Sequence, residues 1–197
     1  MDGFLSYIRC FLFGSLVGAA ASWAYLRKQL FTDQLTEVPN QIAVPKLLRR
    51  SLRRVTREKT PLSIALLDLD DFKAVNAEFG YASADQLLRE FSGILKDFSR
   101  RHGIRVLRYK SGDEFLLIME RIAENRACEI LEELQETIRA KTFTSQEKPL
   151  KIRFSAGRST FRCVSKLSEV DTAMQLLLEA CENDLLAAKA ERTSRAG

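Results

Sequence analysis

The apolar residues of this chain follow two different spacings. Val44, Leu47, Leu48 and Leu52 recur at helical intervals with arginines between them, which predicts an amphipathic helix. Residues 62–68 are almost continuously apolar, which predicts a buried strand. The whole pattern predicts a helix over 43–58, a strand over 62–68, a helix from 71 that pauses at Gly80, a helix over 83–101, a hairpin over 104–119, a helix over 123–141, a strand over 150–157, a loop or ribbon over 158–167 and a helix over 170–190.

This order of elements indicates the fold class. Strands and helices follow one another as β-α-α-β-β-α-β-α, and two of the strands are joined directly as a hairpin. We therefore predict an α/β protein of the α+β type, in which helices cover a central, mostly antiparallel sheet.

The first 30 residues have a different composition. No charged residue lies between Cys10 and Leu26, and extension back to Phe4 adds only Arg9. A helix needs about 20 largely apolar residues to cross a bilayer, and Arg27 with Lys28 favours a cytoplasmic location for the residues after the helix. We predict a single transmembrane helix and juxtamembrane basic residues in 1–30, and one domain in 31–197. A cleaved signal peptide and a buried amphiphilic helix are the alternatives.

Charge and residue usage narrow the possible functions. The net charge is +5, and nine of the 31 Lys and Arg residues lie between residues 27 and 59, beside three acids. This basic segment either attracts anionic lipid or nucleotide or forms a solvated helix face. The single histidine, His102, argues against a zinc site and against a histidine-based catalytic triad.

Acidic residues cluster at the ends of two predicted strands. Asp68, Asp70 and Asp71 end the first strand, and Asp113 with Glu114 comes after the glycine of the hairpin turn. Taken singly, these clusters are typical of a helix N-terminus and of a solvated turn. If the two strand ends are neighbours, however, their carboxylates would form a metal site suited to phosphoryl transfer.

Five segments together resemble the GGDEF domain of diguanylate cyclases. They are DQLTEVPN (33–40), similar to D-x-L-T-G-L-x-N; DLDDFKAVNAEFGYASAD (68–85), similar to D-x-D-x-F-K-x-I-N-D-x-x-G-H-x-x-G-D; SGDEF (111–115); FSAG (154–157), similar to S-x-G; and LLAAK (185–189), similar to the end of A-L-Y-x-A-K. The order and spacing match, and the resemblance covers roughly residues 33–192.

The resemblance implies a palm-like, ferredoxin-like sheet and a reaction that joins two GTP molecules into cyclic di-GMP with release of pyrophosphate. It implies a homodimer, two Mg²⁺ per active site with Mn²⁺ as a substitute, and no nucleic acid polymer as partner. Combined with the predicted anchor, it implies a single-pass protein of the inner membrane with a cytoplasmic catalytic domain.

Site residues are carried over by matching positions. Metal ligands are expected at Asp68, the Leu69 carbonyl, Asp113 and Glu114. Asp113 and Glu114 are the expected catalytic pair, and whether Glu114 completes the metal site or helps to deprotonate the 3′-hydroxyl is left open. The remaining expected contacts are to GTP, from Asn76 and Asp85 to guanine and from Lys73, Lys189 and Arg192 to phosphate.

Several positions differ from the family pattern. These positions are Glu37, Ala77, Tyr81, Ala84, Tyr109, Ser111 and Thr193, where the family has glycine, aspartate, histidine, glycine, arginine, glycine and arginine, respectively. Arg108 and Arg192 each lie one residue away from the expected arginine. A degenerate domain that binds GTP or a protein without turnover is therefore the main alternative, and a related cyclase or polymerase that uses other nucleotides is the third.

Overall fold

The computed structural model describes residues 2–110, 112–145, 148–162 and 169–196. Its elements, in chain order, are α1 (Asp2–Phe31), a 3₁₀ turn (Gln41–Ala43), α2 (Val44–Glu58), β1 (Leu62–Leu69), α3 (Phe72–His102), β2 (Arg105–Arg108), β3 (Glu114–Glu120), α4 (Glu124–Ala140), β4 (Phe143–Ser145), β5 (Lys148–Leu150), β6 (Phe154–Phe161) and α5 (Val170–Ala196). This order confirms the predicted mixture of helices and strands.

The central sheet has the strand order β2-β3-β1-β6, and every pairing within it is antiparallel. The sheet separates two apolar clusters. α3 and α4 cover one face, where Phe91 and Phe115 pack together, and α2 and α5 cover the other. All eight residues of β1 are buried because helices lie over both of its faces. The predicted antiparallel sheet with flanking helices is confirmed.

A break in α3 lies at the predicted pause. Gly80 has φ 77° and ψ 165°, so the helix that begins at Phe72 stops there and a second segment continues to His102. Glycine adopts this positive φ without the steric cost that a side chain brings. α3 therefore consists of two helical segments, one before and one after a kink at Gly80.

The strand predicted over 150–157 is wrong in its bounds. The structure has a small antiparallel hairpin, β4 with β5, and then β6, which begins only at Phe154 and runs to Phe161. Residues 158–161, the start of the segment predicted as a loop or ribbon, are thus strand, while residues 163–168 lie outside the described residues. β4 and β5 have three residues each, too few to produce a recognisable alternation.

Helix α5 packs unusually close to β6. A Cβ atom on Gly157 would lie 2.2 Å from the backbone nitrogen of Leu185 and 2.3 Å from the carbonyl oxygen of Cys181. Only glycine fits at this contact, which fixes α5 against the sheet.

The predicted transmembrane helix is wrong. α1 is a continuous helix, but among the residues that the structure describes no helix is long and apolar enough to cross a membrane. Eight of the 17 residues from Cys10 to Leu26 are glycine, alanine or serine, which add little apolar surface for burial in lipid. The same finding contradicts the predicted location as a single-pass protein of the inner membrane.

Candidate active site

The two acidic strand ends are neighbours. β1 pairs with β3 so that Asp68 lies opposite Glu114, and the Leu69 amide donates to the Asp113 carbonyl at 3.4 Å. The adjacency on which the predicted metal site depends is therefore present. It arises because the hairpin turn between β2 and β3 lies at the same edge of the sheet as the end of β1.

Burial makes the carboxylates of Asp113 and Glu114 costly to ionise. The side chain of Asp68 is 11% exposed. Burial, and then the charge of Asp68, raise the pKa of Asp113, and burial raises the pKa of Glu114. The Lys189 ammonium lies 2.6 Å from Asp68 Oδ2 and partly offsets this negative charge. A cation placed between Asp68 and Asp113 would relieve the same repulsion.

The donor atoms suit a hard cation. Carboxylate oxygens and the Leu69 carbonyl are the ligand types that Mg²⁺ takes. Across the described part of the chain, however, no three His, Cys, Asp or Glu side chains converge into a ready-made metal cluster. The fit therefore rests on the chemistry of the donor atoms and on the pairing of the two strand ends.

A second group of acids lies beside the first. Asp70 accepts a hydrogen bond from the Ser155 hydroxyl at 2.7 Å, and Arg192 approaches Asp70 at 3.4 Å and Asp71 at 2.8 Å. Asp71 has φ 57°, a left-handed conformation at the start of α3. Arg192, one residue out of the family register, thus reaches this acidic edge of the sheet.

The expected nucleotide contacts lie on both parts of α3. Lys73 is exposed in the first turn, and Asn76 is half-buried and donates to the Phe72 carbonyl at 3.3 Å. Asp85 is half-buried on the second part of the helix, beyond Gly80. The break in α3 therefore separates the two expected guanine contacts.

An ion pair that the sequence did not indicate holds the hairpin turn. Arg108 Nη1 donates to Asp33 Oδ1 at 2.8 Å, and the same guanidinium donates to the Gly112 carbonyl from Nε at 3.0 Å and from Nη2. Asp33 also accepts from the backbone amide of Thr36 at 2.9 Å and from its hydroxyl at 2.6 Å. Arg108 thus links the opening DQLT segment to the acidic turn. Asp33 and Arg108 are 75 residues apart along the chain.

A second contact that sequence reasoning missed lies on the other side of the turn. Glu182 of α5 accepts hydrogen bonds from Tyr109 and Lys110, both at 2.8 Å. Nothing in the local pattern around Glu182 indicates it, because the partners are 73 and 72 residues away. Ser111, within the turn, lies outside the described residues.

Comparisons with known proteins agree on one family. The family described as "Diguanylate cyclase, GGDEF domain" matches residues 30–195. Diguanylate cyclase DgcP of Pseudomonas aeruginosa is 32% identical over 141 residues, which are 68% of this chain and 20% of that protein. The response regulator PleD of Caulobacter vibrioides is 32% identical over 167 residues, 80% of this chain and 35% of that protein. The chain therefore spans about a third or less of the length of these relatives.

The fold has close counterparts among solved structures. The coiled coil and GGDEF domain of DgcB from Caulobacter crescentus, in complex with c-di-GMP, has a TM-score of 0.81 and 22% identity and covers 95% of both chains. The GGDEF domain of DgcB alone, also with c-di-GMP, has a TM-score of 0.71 and 26% identity over 82% of this chain and 89% of that one.

Proposed function

Because this chain belongs to the GGDEF family of diguanylate cyclase domains, we propose that it condenses two GTP molecules into cyclic di-GMP and releases pyrophosphate. The observation that supports this proposal best is the adjacency of Asp68 and the Asp113-Glu114 pair at one edge of the sheet. The reaction joins the 3′-hydroxyl of each nucleotide to the α-phosphorus of the other. Negative charge on both triphosphates must be neutralised for the two to approach.

We assign the metal ligands on the same geometry. Asp68, the Leu69 carbonyl and Asp113 would hold Mg²⁺, with Mn²⁺ as a substitute and two ions per site. Mg²⁺ supplies neutralisation of phosphate charge and activation of a hydroxyl. Glu114, whose pKa is raised by burial, is suited to take a proton from the 3′-hydroxyl.

The chain's own cations would bind the phosphates. Lys189 and Arg192 already point at the acidic edge, where they pair with Asp68 and with Asp70 and Asp71. A bound triphosphate offers these cations further anionic oxygens at the same edge. Lys73, exposed in the first turn of α3, completes the set. Asn76 and Asp85 would read guanine, since a carboxylate at Asp85 accepts from the N1 and N2 hydrogens that adenine lacks.

Ring formation needs two half-sites, so we propose a homodimer with two-fold symmetry. The surface of α1 supports this. Leu16, Ala19, Trp23, Leu26 and Leu30 are exposed and follow one another at intervals of 3, 4, 3 and 4 residues. A spacing that averages 3.5 residues places apolar side chains along one seam, as in a coiled coil between two helices. Pairing through α1 would bring two GGDEF domains together.

The alternative function is a degenerate domain that binds GTP or a protein without turnover. It is favoured by Tyr81, 82% exposed where the family has histidine, and by Arg192, which is committed to two acids. Nucleotide binding without product would support this alternative.

The test uses the full chain, at increasing protein concentration, with GTP and Mg²⁺ and with products identified by mass spectrometry. Asp113→Ala removes a proposed metal ligand, and Asp97→Ala, at an exposed i,i+3 pair on α3, is the matched control. We expect cyclic di-GMP from the native and Asp97→Ala proteins, none from Asp113→Ala, and none after chelation of the metal. If the native protein binds GTP but forms no product at any concentration, the degenerate domain is the correct assignment. Product from ATP alone would favour another nucleotide chemistry.

A further inference from the structure

The turn that carries Asp113 and Glu114 is held from two sides. Its backbone is closed by the Tyr109 amide, which donates to the Glu114 carbonyl at 2.9 Å. On one side Arg108 holds the Gly112 carbonyl. On the other side the contact comes from α5, through a single carboxylate oxygen of Glu182.

That oxygen has two donors. Glu182 Oε1 lies 2.8 Å from the Tyr109 hydroxyl and 2.8 Å from the Lys110 ammonium. The Lys110 and Tyr109 hydrogen bonds lower the pKa of Glu182, so the carboxylate is charged at neutral pH and accepts both. Charge-assisted hydrogen bonds of this kind are stronger than those between neutral groups.

Glu182 lies on a firmly seated turn of its helix. Cys181 is fully buried, and Leu185 packs with its backbone against Gly157 of β6. Seven residues after Glu182, about 10 Å along a helix that rises 1.5 Å per residue, Lys189 pairs with Asp68. One rigid helix therefore contacts both strand ends of the candidate active site.

We propose that Glu182 is a positioning residue, which holds the Asp113-Glu114 turn at its distance from Asp68 by acting through Tyr109 and Lys110. This inference rests on the proposed function for its effect on catalysis. Without the carboxylate, Tyr109 and Lys110 lose their shared acceptor, and the turn keeps only its Arg108 side. The proposed GTP contacts, on α3 and at Lys189 and Arg192 further along α5, do not include Glu182 and are kept. The loss therefore falls on turnover, because small displacements of reacting groups cost about 10²-fold in rate.

The experiment compares Glu182→Ala, Glu182→Gln and the matched control Glu179→Ala, which removes an exposed carboxylate three residues earlier on the same helix. We expect Glu182→Ala to lower kcat by about 10- to 100-fold with KM and the melting temperature near those of the native protein. Glu182→Gln retains an acceptor oxygen and should recover part of kcat. Glu179→Ala should match the native protein. A native kcat in Glu182→Ala, or a loss explained by a smaller folded fraction, would overturn the proposal.

Amide hydrogen exchange separates this inference from the proposed function. Glu182→Ala should speed exchange in the peptide that contains Gly112 and Asp113 and leave the peptides of β1 and the first part of α3 unchanged. If the native protein proves inactive but this local effect is found, the proposed function fails and the positioning contact stands. If the native protein is active and neither exchange nor kcat responds, the positioning role is wrong.

Discussion

Replacement of Arg108 by alanine tests how the acidic turn is anchored. Its guanidinium joins Asp33 to the Gly112 carbonyl, and the side chains of Arg108 and Asp33 are only 12% and 22% exposed. Removal of one partner from a fully buried ion pair costs about 3–5 kcal/mol, because the other charge is left uncompensated. Asp33 keeps two donors from Thr36 and the pair is not fully buried, so we place the loss below that range, at about 2–3 kcal/mol.

The assay is urea denaturation followed by far-ultraviolet circular dichroism, since the only tryptophan, Trp23, lies in α1 and does not report on the sheet. A loss of about 2–3 kcal/mol corresponds to a fall of about 5–10 °C in melting temperature for a chain of this size. Arg108→Lys keeps the charge but not the forked geometry, and should lose an intermediate amount. Arg126→Ala breaks an exposed pair with Glu129 and is the control, with an expected loss below about 0.5 kcal/mol.

The pH dependence of the same variant provides a second check. Despite burial, the Thr36 hydrogen bonds and Arg108 lower the pKa of Asp33. The stability that a depressed carboxyl pKa contributes is complete above the unfolded value of about 3.9 and is lost as the pH falls through the folded value. The gap between native protein and Arg108→Ala should therefore be full at pH 7 and shrink below about pH 4. If Arg108→Ala loses no more than Arg126→Ala at pH 7, the anchoring argument is refuted.

Three further predictions concern other positions. Gly157→Ala should cost about 3 kcal/mol or more, because the added Cβ meets backbone atoms of Leu185 and Cys181 that cannot rotate away, and a thermal melt unchanged from native would contradict this contact. Glu37→Gly should raise the free energy of unfolding by about 0.5 kcal/mol, because Glu37 has φ 60° and glycine adopts this angle without a steric cost. The gain is small because glycine also makes the unfolded chain more flexible, and a lower urea midpoint in the variant would contradict the prediction. Asp113→Asn should stabilise the folded domain at pH 7. Burial raises the pKa of Asp113, so the native protein loses stability as the pH rises and this carboxyl ionises. Asparagine does not ionise, and the difference in stability between the variant and the native protein should therefore vanish in acid.

The fold could be predicted from the sequence where each element has a clear local pattern. The unbroken apolar run of β1 predicts a strand covered on both faces, and Gly80 predicts the break in α3. The β4-β5 hairpin could not be found, because its three-residue strands include Pro149, a residue that weakens a strand prediction. The prediction at α1 is wrong because it counts charges rather than apolar surface over the Gly, Ala and Ser positions.

The candidate site could be predicted only in part for a related reason. Asp68 and Asp113 each lie at the end of a recognisable strand. The prediction that they are neighbours therefore required only the assumption that these two strands are adjacent in the sheet, and β1 does pair with β3. Arg108 and Glu182 act through partners 75 and 73 residues away. Such contacts depend on how finished elements pack, and no spacing along the chain indicates them. A shifted register can also mislead, since Arg192 still reaches the acidic edge.

The position of α5 also has a consequence for synthesis on the ribosome. α5 comes after β1 to β6 in the chain, yet Val170, Leu177, Cys181 and Leu185 complete the cluster that covers one face of the sheet. At about 5–20 residues per second, the nascent chain leaves the α5 side of that face exposed for seconds after β6 has emerged, while α2 is already available to cover the rest. During this interval Lys189 has not yet reached Asp68 and Glu182 has not yet reached Tyr109. The candidate active site is therefore incomplete until α5 has been made. Docking of α5 is therefore the step that covers this face and at the same time brings Lys189 and Glu182 to the two strand ends.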